Sequence, residues 1–465
     1  MDRRGFLAGA GALAAVAGSA RAGIDGLRSA AHEAWLYGVP LIETAGARTR
    51  MLDRAAAAGS PPPLNAFQHA RDLATAASRG VTTPNNDTLY SQAWIDLATG
   101  PVKITVPATG RRYFSLALMD MFTNNLKVIG LRSDKGVGGE YLLIGPPKRI
   151  GVGDVDINEP RMPRPHIGPH PSEIHVRGNW IWALGRTLVD GDADLPAARA
   201  VQDGLIVRAK HPARVPQAYP ARDAAWNDYF FAVQQLLAES PPPAADDDFF
   251  HRIAPLQLGA EQGFERARFA DDELSEIEAG IDEAKAELLA LRNAPAGVGG
   301  WIYPKPDVGD FGVDYLGRAA TAIGGLGALP PAEAMYMRAL TPDGGRLFDS
   351  ERHYRLSLPA DIPVDGFWSL SLYEPTADGQ FFFTDNPIHR YSIGDRTPGL
   401  GRRVDGGLDI WIGRVDPGGT HTANWLPAPA KGPFALILRA YLPKNDLLSG
   451  RYRLPAVEML QHAPR

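Results

Sequence analysis

Apolar and polar residues alternate with a period of two in the early and late parts of the chain, while the middle repeats at the longer period of a helix. Val102, Ile104 and Val106 alternate with Lys103 and Thr105, as a half-buried strand requires. Short strands are also predicted over Tyr113 to Met121, Leu126 to Leu131, Tyr141 to Ile144 and Trp180 to Leu188. The same period returns after Gly345, at His353 to Leu358, Phe367 to Tyr373, Phe381 to Thr384, Leu408 to Ile412 and Phe434 to Tyr441. Between them, helices are expected over Pro196 to Ala209, Asp223 to Glu239 and Asp271 to Arg292, with a broken one around Ala332 to Leu340. An alanine-rich segment, Leu27 to Ala58, carries Leu27, Ala31, Trp35 and Leu41 on one helical face; Pro40 is expected to kink or end it.

This order of elements predicts an α+β protein: two mainly antiparallel β-sandwich or jelly-roll-like domains with a helical segment between them. A chain of 465 residues exceeds the ~250–300 at which a single core stops growing, so several domains are expected. The divisions fall at 1–22, an export signal; 23–191, a helix plus a β domain; 192–345, the helical segment; and 346–465, a C-terminal sandwich. A faint internal echo links the two β regions. Lys103 to Pro107 leading to Phe114-Ser115-Leu116-Ala117-Leu118 resembles Arg355 to Pro359 leading to Trp368-Ser369-Leu370-Ser371-Leu372. Both duplication and chance alternation account for it.

The first residues change the picture of where this protein works. Arg3 and Arg4 precede an apolar run from Phe6 to Val16, and small residues end in Ala20-Arg21-Ala22. Such a segment reads as a twin-arginine signal cleaved after Ala22, giving a periplasmic or secreted protein with no membrane span once the signal is removed. The chain contains no cysteine, which excludes disulfides, thiolate nucleophiles and cysteine-held metals. Its formal charge is −5, and cleavage would remove three arginines and one aspartate, so nucleic acid is not an expected partner.

Several longer strings carry a resemblance. They are Asn65-x-Phe67-x-His69-x-Arg71, then Thr83-Pro84-Asn85-Asn86-Asp87-Thr88-Leu89-Tyr90-Ser91, and Met119 to Asn125 with Asp120 and Asn124. Together with Gly100-Pro101 and Arg112-Tyr113 they resemble the bacterial domain of unknown function 1254. Asp365-Gly366-Phe367-Trp368 to Tyr373, Asn386-Pro387, Asp405-Gly406-Gly407, Asn424 to Pro429 and Arg439-Ala440-Tyr441-x-Pro443 resemble its companion, domain of unknown function 1214. The resemblance implies tandem β-sandwiches around a helical segment, and it brings no established catalytic residue.

The candidate chemistry is all oxygen and nitrogen. Asn85, Asn86, Asp87 and Tyr90 offer donors and acceptors suited to a hydroxylated ligand; the same residues equally suit an Asx-turn that leads into a strand. Asp87 and Asp120 are the candidate acid and base, which a glycosidase would need ~5 Å or ~6.5–9.5 Å apart. Strand-end aspartates also cap turns. His69 with Ser91 and Asp87 is the one nucleophilic grouping, without a G-x-S-x-G elbow. In the second β region Trp368, Tyr373, Asn424 and Arg439 suit stacking on a flat polar ligand, or the core of a sandwich. His166, His170, Glu173 and His175 lie in a proline-rich stretch without a recognised metal spacing, and a solvated loop is expected there. No phosphate or dinucleotide loop is present, so nucleotide chemistry is not expected; no cofactor and no metal ligand is assigned.

The leading expectation is an exported protein with a small polar or carbohydrate-like ligand in an inter-domain cleft. The alternatives are a hydrolase or lyase using Asp and His, and a structural or assembly protein of the cell envelope, oligomeric or not.

Overall fold

The computed structural model describes residues 4–79, 82–146, 172–259, 263–293, 297–377 and 380–461, with side chains from residue 26 onward save those of 244, 292 and 293. Two sandwiches carry the fold. In the first, a sheet ordered β1 (Gln68–His69), β2 (Thr88–Asp96), β8 (Trp180–Leu188), β4 (Phe114–Met119), β5 (Asn125–Gly130) faces a sheet ordered β7 (Ser172–His175), β6 (Gly139–Ile144), β3 (Val102–Val106), β9 (Ile206–Ala209). Alternation explains the packing: Ile95, Ile104, Leu116 and Ile181 point into the layer between the sheets, all without exposed surface.

The second sandwich repeats this plan strand for strand. Its inner sheet runs β10 (Trp301–Ile302), β11 (Ala334–Ala339), β19 (Pro433–Tyr441), β14 (Trp368–Pro375), with β16 (Ser392–Gly394) also on β14. Its outer sheet runs β18 (Trp425–Pro427), β17 (Leu408–Gly413), β13 (His353–Leu358), β20 (Glu458–Leu460). The short strands β12 (Phe348–Asp349) and β15 (Phe381–Phe382) add to its edges. Even the parallel pairs correspond, β6 with β7 and β17 with β18. Register matches too: Arg186 lies opposite both Tyr90 and Ser115, and Arg439 opposite both Tyr336 and Ser369. Gly130 and Gly394 close the pattern, for a Cβ there would strike the Phe114 or Trp368 carbonyl at 2.0 or 2.2 Å. The echo between the two β regions is therefore an internal duplication.

Helices cover what the sandwiches leave open. α1 (Arg4–Ala57), α4 (Trp226–Glu239), α6 (Asp271–Asn293) and α7 (Tyr315–Gly324) share one apolar core with Trp94, Met119 and Trp182 on the outer face of the first sheet. α3 (Leu195–Asp203) lies against β2 and β8, and the short α2 (Leu131–Asp134), α5 (Asp247–Arg252) and α8 (Asn445–Leu448) fill connections. The proline at position 40 does not end α1. Its neighbours Val39, Leu41 and Ile42 are buried, and Tyr229 donates to the Trp35 carbonyl at 2.6 Å in the turn before, so packing outweighs the lost backbone bond. Two expected helical stretches are strands instead. Residues 206–209 form β9 beside β3, and Ala334 to Ala339 form β11, where Met335 and Met337 enter the sandwich core and override their helix-forming composition. Among the described residues no helix is long and apolar enough to cross a membrane.

Candidate functional site

The two sandwiches meet through equivalent faces. Ile95, Leu116, Leu118 and Ile181 of the first sandwich and Leu370, Leu372, Leu436 and Leu438 of the second point into their own sandwich cores, which leaves the alternate positions to face the helices and the other domain. There Phe367 stacks on Tyr441 with ring centroids 4.2 Å apart, and Tyr113 meets both edge-on.

The segment before β2 is pinned between the domains by its own turn and by the second sandwich. The Asn85 side-chain oxygen accepts from the Asp87 and Thr88 amides at 3.1 and 3.0 Å, an Asx-turn of the expected kind. Its amide nitrogen donates to the Tyr90 hydroxyl at 2.9 Å. Across the boundary Ser369 donates to an Asp87 carboxylate oxygen at 2.7 Å, and Ser392 to the Asn86 side-chain oxygen at 2.9 Å. Tyr373 donates to the Pro84 carbonyl at 2.6 Å, and Arg439 to the Thr83 carbonyl at 2.7 Å. These bonds hold Thr83 at φ 47°, a left-handed conformation that costs a β-branched residue ~1–3 kcal/mol.

Beside this seam opens a cleft of about 180 Å³. Asn86, Asp87 and Asp190 line one side, and Phe367, Ser369, Ser392 and Arg396 the other. Asp87 is half-buried on its wall. Burial pushes its carboxyl above the ordinary aspartate value, while the Ser369 hydroxyl and the charges of Arg439 and Arg396 pull the other way. Arg396 is itself paired with Asp190 across the domains.

The expected site residues divide into three groups. Asn86 and Asp87 line the cleft, and Trp368 borders it while its side chain packs into the second sandwich core. Asn85, Tyr90, Tyr373 and Arg439 stand behind it, shaping the loop.

The others lie elsewhere. Asp87 and Asp120 are not a catalytic pair: Asp87 precedes the residue opposite Leu188, Asp120 follows the residue opposite Trp182, and that stretch of β8 spans about 20 Å. Asp120 instead closes a turn, accepting from the Phe122 and Asn124 amides at 2.9 Å and from the Asn124 side chain at 3.0 Å. His69 reaches the Ser91 hydroxyl at 2.9 Å, but Ser91 is fully buried and also takes a bond from Gln202. Asn424 does not reach the cleft, for it bonds the Gly401 and Asp409 backbone in the outer layer. The hollow beside Trp425 is only about 10 Å³, room for one water at most. His166 and His170 lie outside the described residues; Glu173 and His175 are exposed, and the described residues contain no cluster of three metal-ligating groups.

Sequence reasoning overlooked Arg186, Asp190, Ser369 as a partner of Asp87, Ser392 and Arg396. Arg186 carried a signal, a charge inside a strand that is otherwise apolar except for Thr187. Arg396 and Asp190 sit in loops and carried none.

Fold and site together define a duplicated β-sandwich protein whose halves enclose a polar seam. A family model described as protein of unknown function (DUF1254) matches residues 64–209, and one described as protein of unknown function (DUF1214) matches residues 333–445. Together they take in more than half of the chain, which belongs to the family that carries these two domains in tandem. The VPA0106 protein from Vibrio parahaemolyticus, known as a crystal structure, is similar at 24% identity and a TM-score of 0.66, over 94% of this chain and 100% of that one. At that identity the likeness speaks to the fold alone. An uncharacterized protein from Burkholderia cenocepacia aligns at 11% identity and a TM-score of 0.42, over 90% of this chain and 86% of that one. No curated protein matches.

Proposed function

We propose that this protein binds a small, hydroxyl-rich ligand in the cleft between its sandwiches, with the Asp87 carboxyl as the central polar contact. One observation carries the reading: Asn86 and Asp87 from one domain and Ser369 and Ser392 from the other converge on the same cleft of about 180 Å³. That volume is close to the ~150 Å³ that accommodates a benzene ring, so the ligand is about one six-membered ring in size. Amide, hydroxyl and carboxyl groups around an aromatic wall suit a monosaccharide or polyol.

Calorimetric titration of the purified chain with a panel of monosaccharides and polyols tests this. Saturable heat from at least one compound, lost in Asp87→Asn while the variant remains folded by circular dichroism, is the expected result. No heat from any compound overturns the reading.

Acid–base catalysis by Asp87 is a second reading, favoured by its raised carboxyl and its hydroxyl partner. The ligand's turnover by wild type and not by Asp87→Asn would select it. For the place of action we propose export by the twin-arginine route, supported by Arg3, Arg4 and the Ala20-Arg21-Ala22 ending.

A further inference from the structure

The duplication builds two equivalent junctions between the halves. Asp87 stands three residues before Tyr90 and Glu333 three before Tyr336, the tyrosines that lie opposite Arg186 and Arg439. Both acids meet the central strand in the same way, for their backbone carbonyls accept from the Val189 and Leu442 amides at 3.0 and 2.9 Å. Arg132 and Arg396 are equivalent too. Each follows by two residues the glycine paired with Ser115 or Ser369, Gly130 or Gly394. Each of these glycine amides donates at 3.0 Å to the hydroxyl of the residue after the arginine, Ser133 or Thr397.

The acid and the arginine are joined in one junction and held apart in the other. Arg132 Nε donates to the buried Glu333 carboxylate at 2.8 Å. Asp87 and Arg396 instead line opposite sides of the cleft, with the arginine turned to Asp190.

Exchanges between the halves account for the difference. Asp87 is one methylene shorter than Glu333. Phe367 stands in the place of Tyr113, whose hydroxyl engages Ser115 at 3.2 Å; Ser369 has no such partner and takes an Asp87 oxygen. Leu188 lines the cleft where the bulkier Tyr441 fills the sister junction. Asp190 stands in the place of Pro443, so Arg396 has a second carboxylate to turn to and Arg132 has none there.

The other acids near Arg396 are committed. Asp194, on which its charge acts, is held through both oxygens by Arg112, and the Asp395 carboxylate accepts from the Trp368 amide at 3.2 Å. The charge of Arg396 also acts on Asp87, and Ser369 occupies only one of the two Asp87 oxygens. Arg132 makes its bond through Nε; the terminal nitrogens of an arginine reach further out, which compensates for the shorter acid.

We infer that Asp190 is a positioning residue for the cleft: it holds the Arg396 guanidinium off Asp87, and without it Arg396 crosses to Asp87 and blocks the cleft, as Arg132 and Glu333 bridge the sister junction. This rests on the proposed cleft binding and adds what keeps the cleft open. An exposed ion pair is a weak latch, yet it suffices, because the crossing carries a guanidinium out of water.

Crystal structures of wild type and Asp190→Asn without ligand test this, with an NMR titration of the Asp87 carboxyl carbon as the solution arm. In Asp190→Asn the Arg396 guanidinium is expected within hydrogen-bond distance of Asp87, and the proton affinity of Asp87 is expected to fall about tenfold or more. Asp190→Glu, which keeps the pair, should leave both as in wild type. Adding Arg396→Gln to Asp190→Asn should restore the proton affinity of Asp87 or raise it further. Asp190 is exposed, so its replacement leaves the cores intact. Arg396 remaining away from Asp87 in the Asp190→Asn crystal, with the Asp87 titration unmoved, overturns the inference. Neither measurement uses a ligand, so the cleft reading stands or falls separately, with the titration of monosaccharides and polyols.

Discussion

Ser369 donates its hydroxyl to the Asp87 carboxylate across the boundary between the two sandwiches, at 2.7 Å. Ser115, its counterpart in the first half, instead meets the Tyr113 hydroxyl at 3.2 Å. The duplicated frame has thus been put to different uses on its two sides, and the acid at the junction has consequences that can be measured.

The first concerns pH. Burial holds the Asp87 carboxyl above its value in the unfolded chain, so the folded protein binds more protons in that interval. Stability contributed at this position falls as pH rises from the ordinary aspartate value, about 3.9, through the folded one. Asp87→Asn does not titrate, so the stability difference between variant and wild type moves in the variant's favour with rising pH. Urea midpoints at about pH 4 and about pH 7 measure it, and a constant difference would contradict the burial of this carboxyl.

Arg439 and Tyr373 act as one clamp on residues 83 and 84. Arg439→Met is expected to cost about 2–4 kcal/mol and Tyr373→Phe about 1–2 kcal/mol. The double variant should cost less than the two together, with a coupling of about 0.5–3 kcal/mol in a denaturation cycle. Simple additivity would separate the two side chains.

Asn424 braces the second sandwich rather than a ligand. Asn424→Ala leaves the Gly401 amide and the Gly401 and Asp409 carbonyls without this partner, at an expected cost of about 1–3 kcal/mol. Ligand affinity in the same preparation should not move; a loss of binding without loss of stability would place Asn424 in the site after all.

Export is tested in the cell. With Arg3 and Arg4 both replaced by lysine the chain should remain in the cytoplasm at full length, while wild type appears outside it beginning at Gly23. Fractionation and N-terminal sequencing give the answer, and unaltered export would point to another route.

Patterning alone determined much of this protein. Strict alternation at Val102 to Val106 and His353 to Leu358 specified strands with a buried face, because the side-chain period of a strand is two. The acidic start of the helix at Asp271 was equally plain, and an Asx-turn at Asn85 was one of the two readings open for that string, since caps and Asx-turns are local chemistry. Tertiary structure alone decided that residues 334–339 form a strand despite a helix-forming composition, because only a neighbouring strand supplies its hydrogen bonds. It also decided that Asp87 meets Ser369, nearly three hundred residues away, and not Asp120 on the same sheet. Distances between segments depend on strand order and register, and these follow from which apolar faces can be buried together, a property of the whole chain rather than of any stretch of it.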